Sequence, residues 1–442
     1  MMEHWQSMIL RDLLRVEHGF AFKGEYFADS GHYVVLTPGN FYEEGGFKLR
    51  PGKDRFYLGE IPERYILSKG SMIVAMTEQA EGLLGSPAIM PESDRYLHNQ
   101  RLGLVRPIER WADLRFLYYL FNTNVVREQI RNSSSGAKVR HTSPERIYGT
   151  KVLVPGIAIQ RKIAAILTAY DDLIEVNKRR IALLEKMAEE LYREWFVRLR
   201  FPGYQKTRFV KGVPEGWPFD VGRAFFDHVK GKSYASHEIS DEDGTCFFIT
   251  LKSFHRRGGY RKEGLKYFSG SYKDGQSVEA GDVVMAVTDM TQDRAVVGEV
   301  ARIPKLHGKK SVISLDVIRL MPKNMSTTFL YSYMRYSGFA NYIKEYANGA
   351  NVLHLKPDLI GKQRLLFPPA ELRDQFSSLV EPFYQEIDAL EEANGVLTKT
   401  RDLLLPRLIS GKLSVEDLDI QFPPSMQETT AEQESLLEAR RA

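Results

Sequence analysis

The chain has 442 residues, 43% of them hydrophobic, which exceeds what one core usually holds, so two or more globular units are expected. Its 61 basic and 57 acidic residues leave a net charge of +4, which excludes a histone-like polycation and by itself says nothing about nucleic acid. Cys246 is the single cysteine, which excludes internal disulfides and thiolate zinc clusters and fits a reducing cytoplasmic setting.

No signal peptide is expected, because His4, Arg11 and Asp12 interrupt any early apolar run. No uninterrupted apolar stretch is long enough to span a bilayer, so no membrane association is expected.

From its start the chain is written twice. Glu3, Trp5 and Gly19 recur as Glu215, Trp217 and Gly231, each displaced by 212 positions. Thr37, Phe41, Gly45, Gly46, Phe47 and Lys48 recur as Thr250, Phe254, Gly258, Gly259, Tyr260 and Arg261, displaced by 213. Gly70, Val74, Ala75 and Thr77 meet Gly281, Met285, Ala286 and Thr288 at 211, and the small changes of offset imply loop insertions. Short apolar runs at 33–36, 72–75, 247–251 and 282–287, broken by glycine and proline clusters, predict strands joined by loops. A helix over 114–131, matched around 328–346, interrupts each strand set, so each unit is expected to be α+β. Both units close on the same turn, Gly136, Ala137, Val139, His141 and Pro144 against Gly349, Ala350, Val352, His354 and Pro357.

A long helix follows each turn. After Pro155 the series Ile163, Leu167, Tyr170, Ile174, Asn177, Ile181, Leu184, Ala188, Leu191 and Trp195 alternates spacings of four and three. After Pro369 the series Phe376, Val380, Phe383, Ile387, Leu390, Asn394, Leu397, Arg401, Leu404 and Leu408 repeats it. Such stripes are coiled-coil seams, which keep one face toward a partner along the whole length. If the two helices run antiparallel, facing residues have numbers of constant sum, and setting Asn177 against Asn394 gives 571. The seam then closes: Ile163 faces Leu408, Leu167 faces Leu404, Leu184 faces Ile387 and Trp195 faces Phe376, with Tyr170 opposite Arg401. Two buried asparagines satisfy each other's amides, so this pair sets the register. A seam from Ile163 to Trp195 is roughly 50 Å long and acts as a ruler. The alternative is a pair of ordinary amphipathic helices, each packed on its own unit. The expected boundaries are 1–155, 156–200 (first helix), 201–368, 369–412 (second helix) and a tail, 413–442, whose polar stretch from Gln421 carries no periodic core pattern and is read as disordered.

In the matched Thr-x3-Phe-x3-Gly-Gly segment the scaffold residues are shared and those between them differ, as a reader of sequence requires. The first copy carries Asn40, Tyr42, Lys48, Arg50, Lys53 and Arg55, with the acids Glu43 and Glu44. The second carries Lys252, Ser253, His255, Arg256, Arg257, Arg261 and Lys262. Paired glycines let the loop turn tightly and approach a groove. Arginine matches guanine edges, asparagine adenine and glutamate cytosine, so exchanging Glu43 and Glu44 for Arg256 and Arg257 changes the bases preferred. A solvated charged hairpin is the alternative. Further candidates for DNA contact are Lys138, Arg140 and Asn351, for which a structural turn is the alternative, and more weakly Gln79, Gln100, Arg101, Gln292 and Arg294, for which surface solvation is. His141 and His354 lack companions at metal-ligand spacing, so no metal is expected.

Catalytic motifs are not found. Gly259 and Gly264 have the outer spacing of a phosphate loop, but Leu265 stands where its lysine belongs. The adenine-methyltransferase motif, Asn or Asp followed by Pro-Pro-aromatic, is absent from the sequence, and Asp289 and Asp293 are expected to be solvated surface acids.

With these features in place, the chain resembles the specificity subunit of type I restriction-modification systems. The resemblance spans nearly all of 3–418 and is carried by VPGIAIQRKIAAILTAYDDLIEVNKRRIALLEKMAEELYREW at 154–195, the Pro214-Glu215-Gly216-Trp217 restart, and LLPRLISGKL at 404–413. It implies two pseudo-repeated α+β target recognition domains joined by two long antiparallel coiled-coil helices. It also implies no catalytic site or cofactor in this chain, which would read a bipartite asymmetric target in double-stranded DNA. The partners implied are modification (methyltransferase) subunits, two per chain, and ATP-dependent restriction subunits, using S-adenosylmethionine, ATP and Mg. The alternative function is a coiled-coil scaffold with two protein-binding domains and no DNA contact.

Overall fold

A computed structural model describes residues 5–79, 81–136 and 138–427. Glu3, Ala137 and the tail from 428 onward, which the sequence reading used, lie outside the described residues. The chain divides into two compact units, one formed by Met1–Glu175 with Gly395–Ala442, the other by Val176–Asn394.

In the first unit the run Met72–Ala75 is wholly buried and lies inside an antiparallel sheet ordered Leu14–His18, Leu102–Pro107, Met72–Ala75, Pro87–Ile89. Alternate side chains of a strand point to opposite faces. Met72 and Val74 therefore enter the core shared with the helices, while Ile73 and Ala75 enter a second core with Val34, Leu36 and Phe41. A smaller sheet, ordered Phe27–Ala28, Phe56–Tyr57, Tyr33–Val35, Tyr96–Leu97, stands beside it. The second unit repeats the plan with Val283–Ala286 as the divided strand: Val283 and Met285 enter one core, Val284 and Ala286 the other.

Each helix expected between the strands is broken in two. Leu114–Phe121 ends at Asn122, and Thr123 precedes a second helix, Asn124–Asn132. Thr327–Tyr336 ends before Gly338, whose left-handed backbone (φ 84°) starts Phe339–Ile343 in a new direction. Thr123 and Gly338 are cap residues, which a search for apolar periodicity passes over.

The long helices are Ile157–Tyr192, prolonged by a π-helical turn Arg193–Val197, and Ala370–Ile409. The second stops where Gly411 takes a left-handed conformation. Within each unit, segments of the two helices pack antiparallel. In the first unit Ile163, Ala164 and Leu167 share a core with Leu408 and Ile409. In the second, Ala188, Tyr192 and Trp195 share one with Phe376, Val380, Tyr384 and Ile387, the Trp195 and Phe376 rings lying 6.0 Å apart. Asn177 donates from Nδ2 to Oδ1 of Asn394 at 2.9 Å, the register expected from the seam. At the seam's polar position Arg401 reaches Asp171, the neighbour of Tyr170, at 2.6 Å, and Tyr119 donates to the other oxygen of that carboxylate at 2.7 Å. Both partners are half-buried, where a guanidinium and a carboxylate attract more strongly than in open water.

Residues 421–427, which the sequence reading placed in a patternless tail, carry contacts: Ser425 donates to Asp172 at 2.7 Å and Met426 packs against the first unit's core.

Replacing Asn177 with alanine strands the Asn394 amide. It is expected to cost about 1–2 kcal/mol in denaturant unfolding, while the double Asn177→Leu, Asn394→Leu change costs less than the two single leucine changes together. Additive losses would show that the two amides do not depend on each other.

Candidate nucleic-acid interface

Each unit builds a hairpin from the matched segment. In the first, an antiparallel bridge joins Phe41 to Phe47; in the second, Phe254 to Tyr260. At the turn both glycines of each pair are left-handed: Gly45 at 89°, Gly46 at 101°, Gly258 at 78° and Gly259 at 90°. A side chain there is disfavoured by the backbone at all four positions, and at Gly45 and Gly258 it would also displace a neighbouring side chain. A Cβ on Gly45 would stand 2.1 Å from Oδ1 of Asn122, one on Gly258 2.8 Å from Oε2 of Glu299.

The frame also claims two residues that the sequence reading assigned to DNA contact. Asn40 is 4% exposed and its Oδ1 accepts from the Thr37 N–H at 3.0 Å and hydroxyl at 3.1 Å; Ser253 is fully buried, its Oγ accepting from the Thr250 N–H at 3.3 Å. Both cap the short turn entering the hairpin, so they are corrected to structural residues, their polar atoms being spent on the backbone. Arg50 is half-buried and donates to the Thr37 hydroxyl at 3.3 Å.

Tyr42, Lys48, Lys53 and Arg55 are exposed in the first unit, as are Lys252, His255, Arg256, Arg257, Arg261 and Lys262 in the second. The Lys48 ammonium lies 5.3 Å from the Tyr42 ring, and the Arg55 guanidinium 5.8 Å from that of Phe27. The exposed tips carry the contrast read in the sequence, acidic Glu43-Glu44 against basic Arg256-Arg257.

A second loop meets each hairpin, and the closing turn lies beside that loop. In the first unit the Ser86 hydroxyl donates to the Tyr42 carbonyl at 2.6 Å, and Arg127 bridges the carbonyls of Glu43 and Gly82. Arg140 lies on a short strand, Arg140–His141, paired with Thr77–Glu78, and Lys138 is exposed on the turn before it. In the second unit Arg256 lies 3.5 Å from Asp293, and Gln292 donates to the Ala350 carbonyl at 2.8 Å beside the exposed Asn351. Arg294 is ion-paired with Glu345. Gln100 and Arg101 sit elsewhere, on the turn where the Gln100 N–H donates to the Phe20 carbonyl at 3.0 Å.

Two carboxylates that sequence reasoning missed hold these second loops. Glu78 is 4% exposed and accepts the N–H groups of Gly82 at 3.1 Å and Leu84 at 2.8 Å. Asp289, expected at the surface, is 3% exposed. It accepts from Thr291 N–H at 2.9 Å and hydroxyl at 2.7 Å, and from the N–H groups of Val296 at 2.6 Å and Val297 at 3.1 Å. Burial alone would raise its pKa, but these hydrogen bonds outweigh it and hold the carboxyl below its ordinary value. The two acids directly follow the matched Thr77 and Thr288, and that adjacency was the signal available in the sequence.

Glu299 lies under the second hairpin against Gly258, and burial pushes its pKa up to about 7, against the opposing pull of Lys344 and Arg335. Among the described residues no group of three or more His, Cys, Asp or Glu could hold a metal ion, and no helix is long and apolar enough to cross a membrane.

Residues 2–186 match the family model described as the type I restriction modification DNA specificity domain. The MjaIX specificity subunit of a type I restriction enzyme from Methanocaldococcus jannaschii is 27% identical over 323 residues, covering 69% of this chain and 70% of that protein. The HindI specificity subunit from Haemophilus influenzae is 21% identical over 390 residues, covering 72% and 82%. Among solved structures, the S subunit of a type I restriction-modification system from M. genitalium has the same fold, with a TM-score of 0.56 at 15% identity over 92% of this chain and 97% of that one. Fold and repeat are thus those of a two-domain α+β protein with coiled-coil helices. The family model and the curated relatives thus make this chain similar to type I restriction enzyme specificity subunits, and in such enzymes the catalytic activity lies in other subunits.

Because Glu299 keeps its proton in the folded state to about pH 7 whereas the unfolded chain releases it near 4.5, the stability linked to this group is present at low pH and lost as pH rises between those values. Glu299→Gln, neutral throughout, is expected to leave Tm nearly unchanged at pH 5 and to raise it at pH 8. An equal shift at both would refute the assignment.

Proposed function

We propose that this chain confers sequence specificity on a type I restriction-modification enzyme by reading a bipartite, asymmetric target in double-stranded DNA, one half-site with each recognition domain. The observation that carries the reading is the hairpin built twice on one frame. Left-handed glycine pairs and capped turns are common to both copies, and the exposed tips differ in charge and hydrogen-bonding character. Base edges in the major groove present distinct donor and acceptor patterns, so a constant backbone carrying different tips is a means of recognising different bases. Exposed lysines and arginines around both tips supply phosphate contacts, which position the domain without specifying sequence.

On this reading the long helices set the distance between half-sites and dock modification subunits, two per chain, to which restriction subunits add. S-adenosylmethionine, ATP and Mg would then serve those partners and not this chain, and the cytoplasm is the compartment implied.

Duplex affinity is expected to fall steeply between 50 and 200 mM salt, as phosphate neutralisation requires, with Arg256→Ala, Arg257→Ala reducing the salt slope by about two. Binding independent of salt would favour a protein-binding scaffold. Exchanging residues 221–357 for those of another specificity subunit is expected to change one half of the methylated motif and leave the other. Inserting seven residues in both long helices at facing positions is expected to lengthen the unread spacer by about 10 Å, or roughly three base pairs, in sequenced methylation sites. An unchanged spacer would reject the role of the helices.

A further inference from the structure

Residues 290–297 leave the sheet directly after Asp289 and return at Gly298, which is left-handed at 83°. One buried carboxylate accepts from three residues of this loop, so the loop is fastened at its base and does not hang free. Its first residue, Met290, is 69% exposed. The loop lies against the second hairpin, as the Arg256–Asp293 pair shows, and against the closing turn through Gln292 and Ala350. The first unit repeats the frame, with buried Glu78 and left-handed Gly85, but there the residue after the acid is Gln79, also exposed. A constant frame with a differing exposed residue is the pattern that the hairpins follow, and it occurs here a second time on an independent segment.

We propose that the loop 290–297 is a second DNA-reading element of the same domain, with Met290 making an apolar contact to a base and Asp289 acting as the positioning residue that presents it. The proposal rests on the reading of the domain as a DNA-recognition unit and extends it to a segment outside the hairpin. A methionine offers a base pair no hydrogen bond. What it fits is the thymine methyl, the apolar group on a base-pair edge in the major groove. A long flexible side chain gains from such a contact only when its backbone is already fixed, which is what the hydrogen bonds to Asp289 accomplish. Gln79 at the same place in the first domain would hydrogen-bond instead, so the two loops would prefer different bases.

The test uses the full chain assembled with its modification subunits, bound to duplexes carrying the target methylated by the natural complex, with one half-site altered at a time. Met290→Ala is expected to weaken binding to the intact target roughly three- to tenfold, a loss that vanishes when the second half-site is scrambled. Met290→Gln is expected to change the base preferred at one position of the second half of the methylated motif and to leave the first half unchanged. Asp289→Asn should act in the same direction on that half alone, which a general loss of folding would not do. Arg256→Ala, Arg257→Ala serves as the reference. If it weakens the second half-site while Met290→Ala and Met290→Gln keep wild-type affinity and motif, the loop is not a reading element and the proposal falls. If the arginine variant is also without effect, the recognition reading itself falls, and the proposal with it.

Discussion

In each unit the two long helices form a wall of the hydrophobic core, and the rest of the structure depends on that constraint. Ile163, Leu167, Leu408 and Ile409 close the first core; Tyr192, Trp195, Phe376, Val380 and Ile387 close the second. A recognition domain cut away from its helix segments would expose these apolar faces, and burial of each large side chain is worth about 1.5–3 kcal/mol. Helices and sheets are therefore one cooperative object within a unit, and a change of helix length or register reaches the sheets directly. The split central strands extend the constraint outward. Because alternate residues of Met72–Ala75 and Val283–Ala286 serve two cores, the loops on the far side of each sheet are tied through one strand to the helices.

Buried and half-buried polar groups give these apolar contacts their register. Asn177 and Asn394 face each other, Asp171 joins Arg401 to Tyr119, and Nη1 of Arg302 donates to both carboxylate oxygens of Asp388 on the second helix at 2.8 Å. Burial raises the pKa of Asp388 against the opposing pull of Arg302. Such groups add little net stability, since the cost of removing them from water offsets their attraction. They penalise misalignment, because a one-turn slip leaves each partner unsatisfied. Leucines alone would tolerate several registers.

At the candidate interface the same economy of means recurs. Glycine pairs, capped turns and one buried carboxylate per domain fix the backbone, and the exposed residues are left to vary. Asn40 and Ser253 belong to the fixed part, whereas Glu43 and Glu44 against Arg256 and Arg257 differ and remain exposed at the tips.

What the sequence alone determined follows from periodicity. The duplication, the α+β character of each half, the two seam helices and the Asn177–Asn394 register could all be read because they rest on spacings that repeat along the chain, and a spacing survives without coordinates. Glycine at Gly45, Gly46, Gly258 and Gly259 was equally legible, since left-handed turns admit little else. Only the tertiary structure decided the direction and burial of single polar side chains. Asp289 reads as one more surface acid until four groups of its own loop are seen to converge on it; Asn40 reads as an adenine contact until Thr37 is seen to occupy it; Arg401 reads as a polar exception in the seam until Asp171 is seen to pair with it. A polar group's role is set by whichever partner lies within hydrogen-bond reach, and those partners come from folding rather than from neighbourhood in the chain.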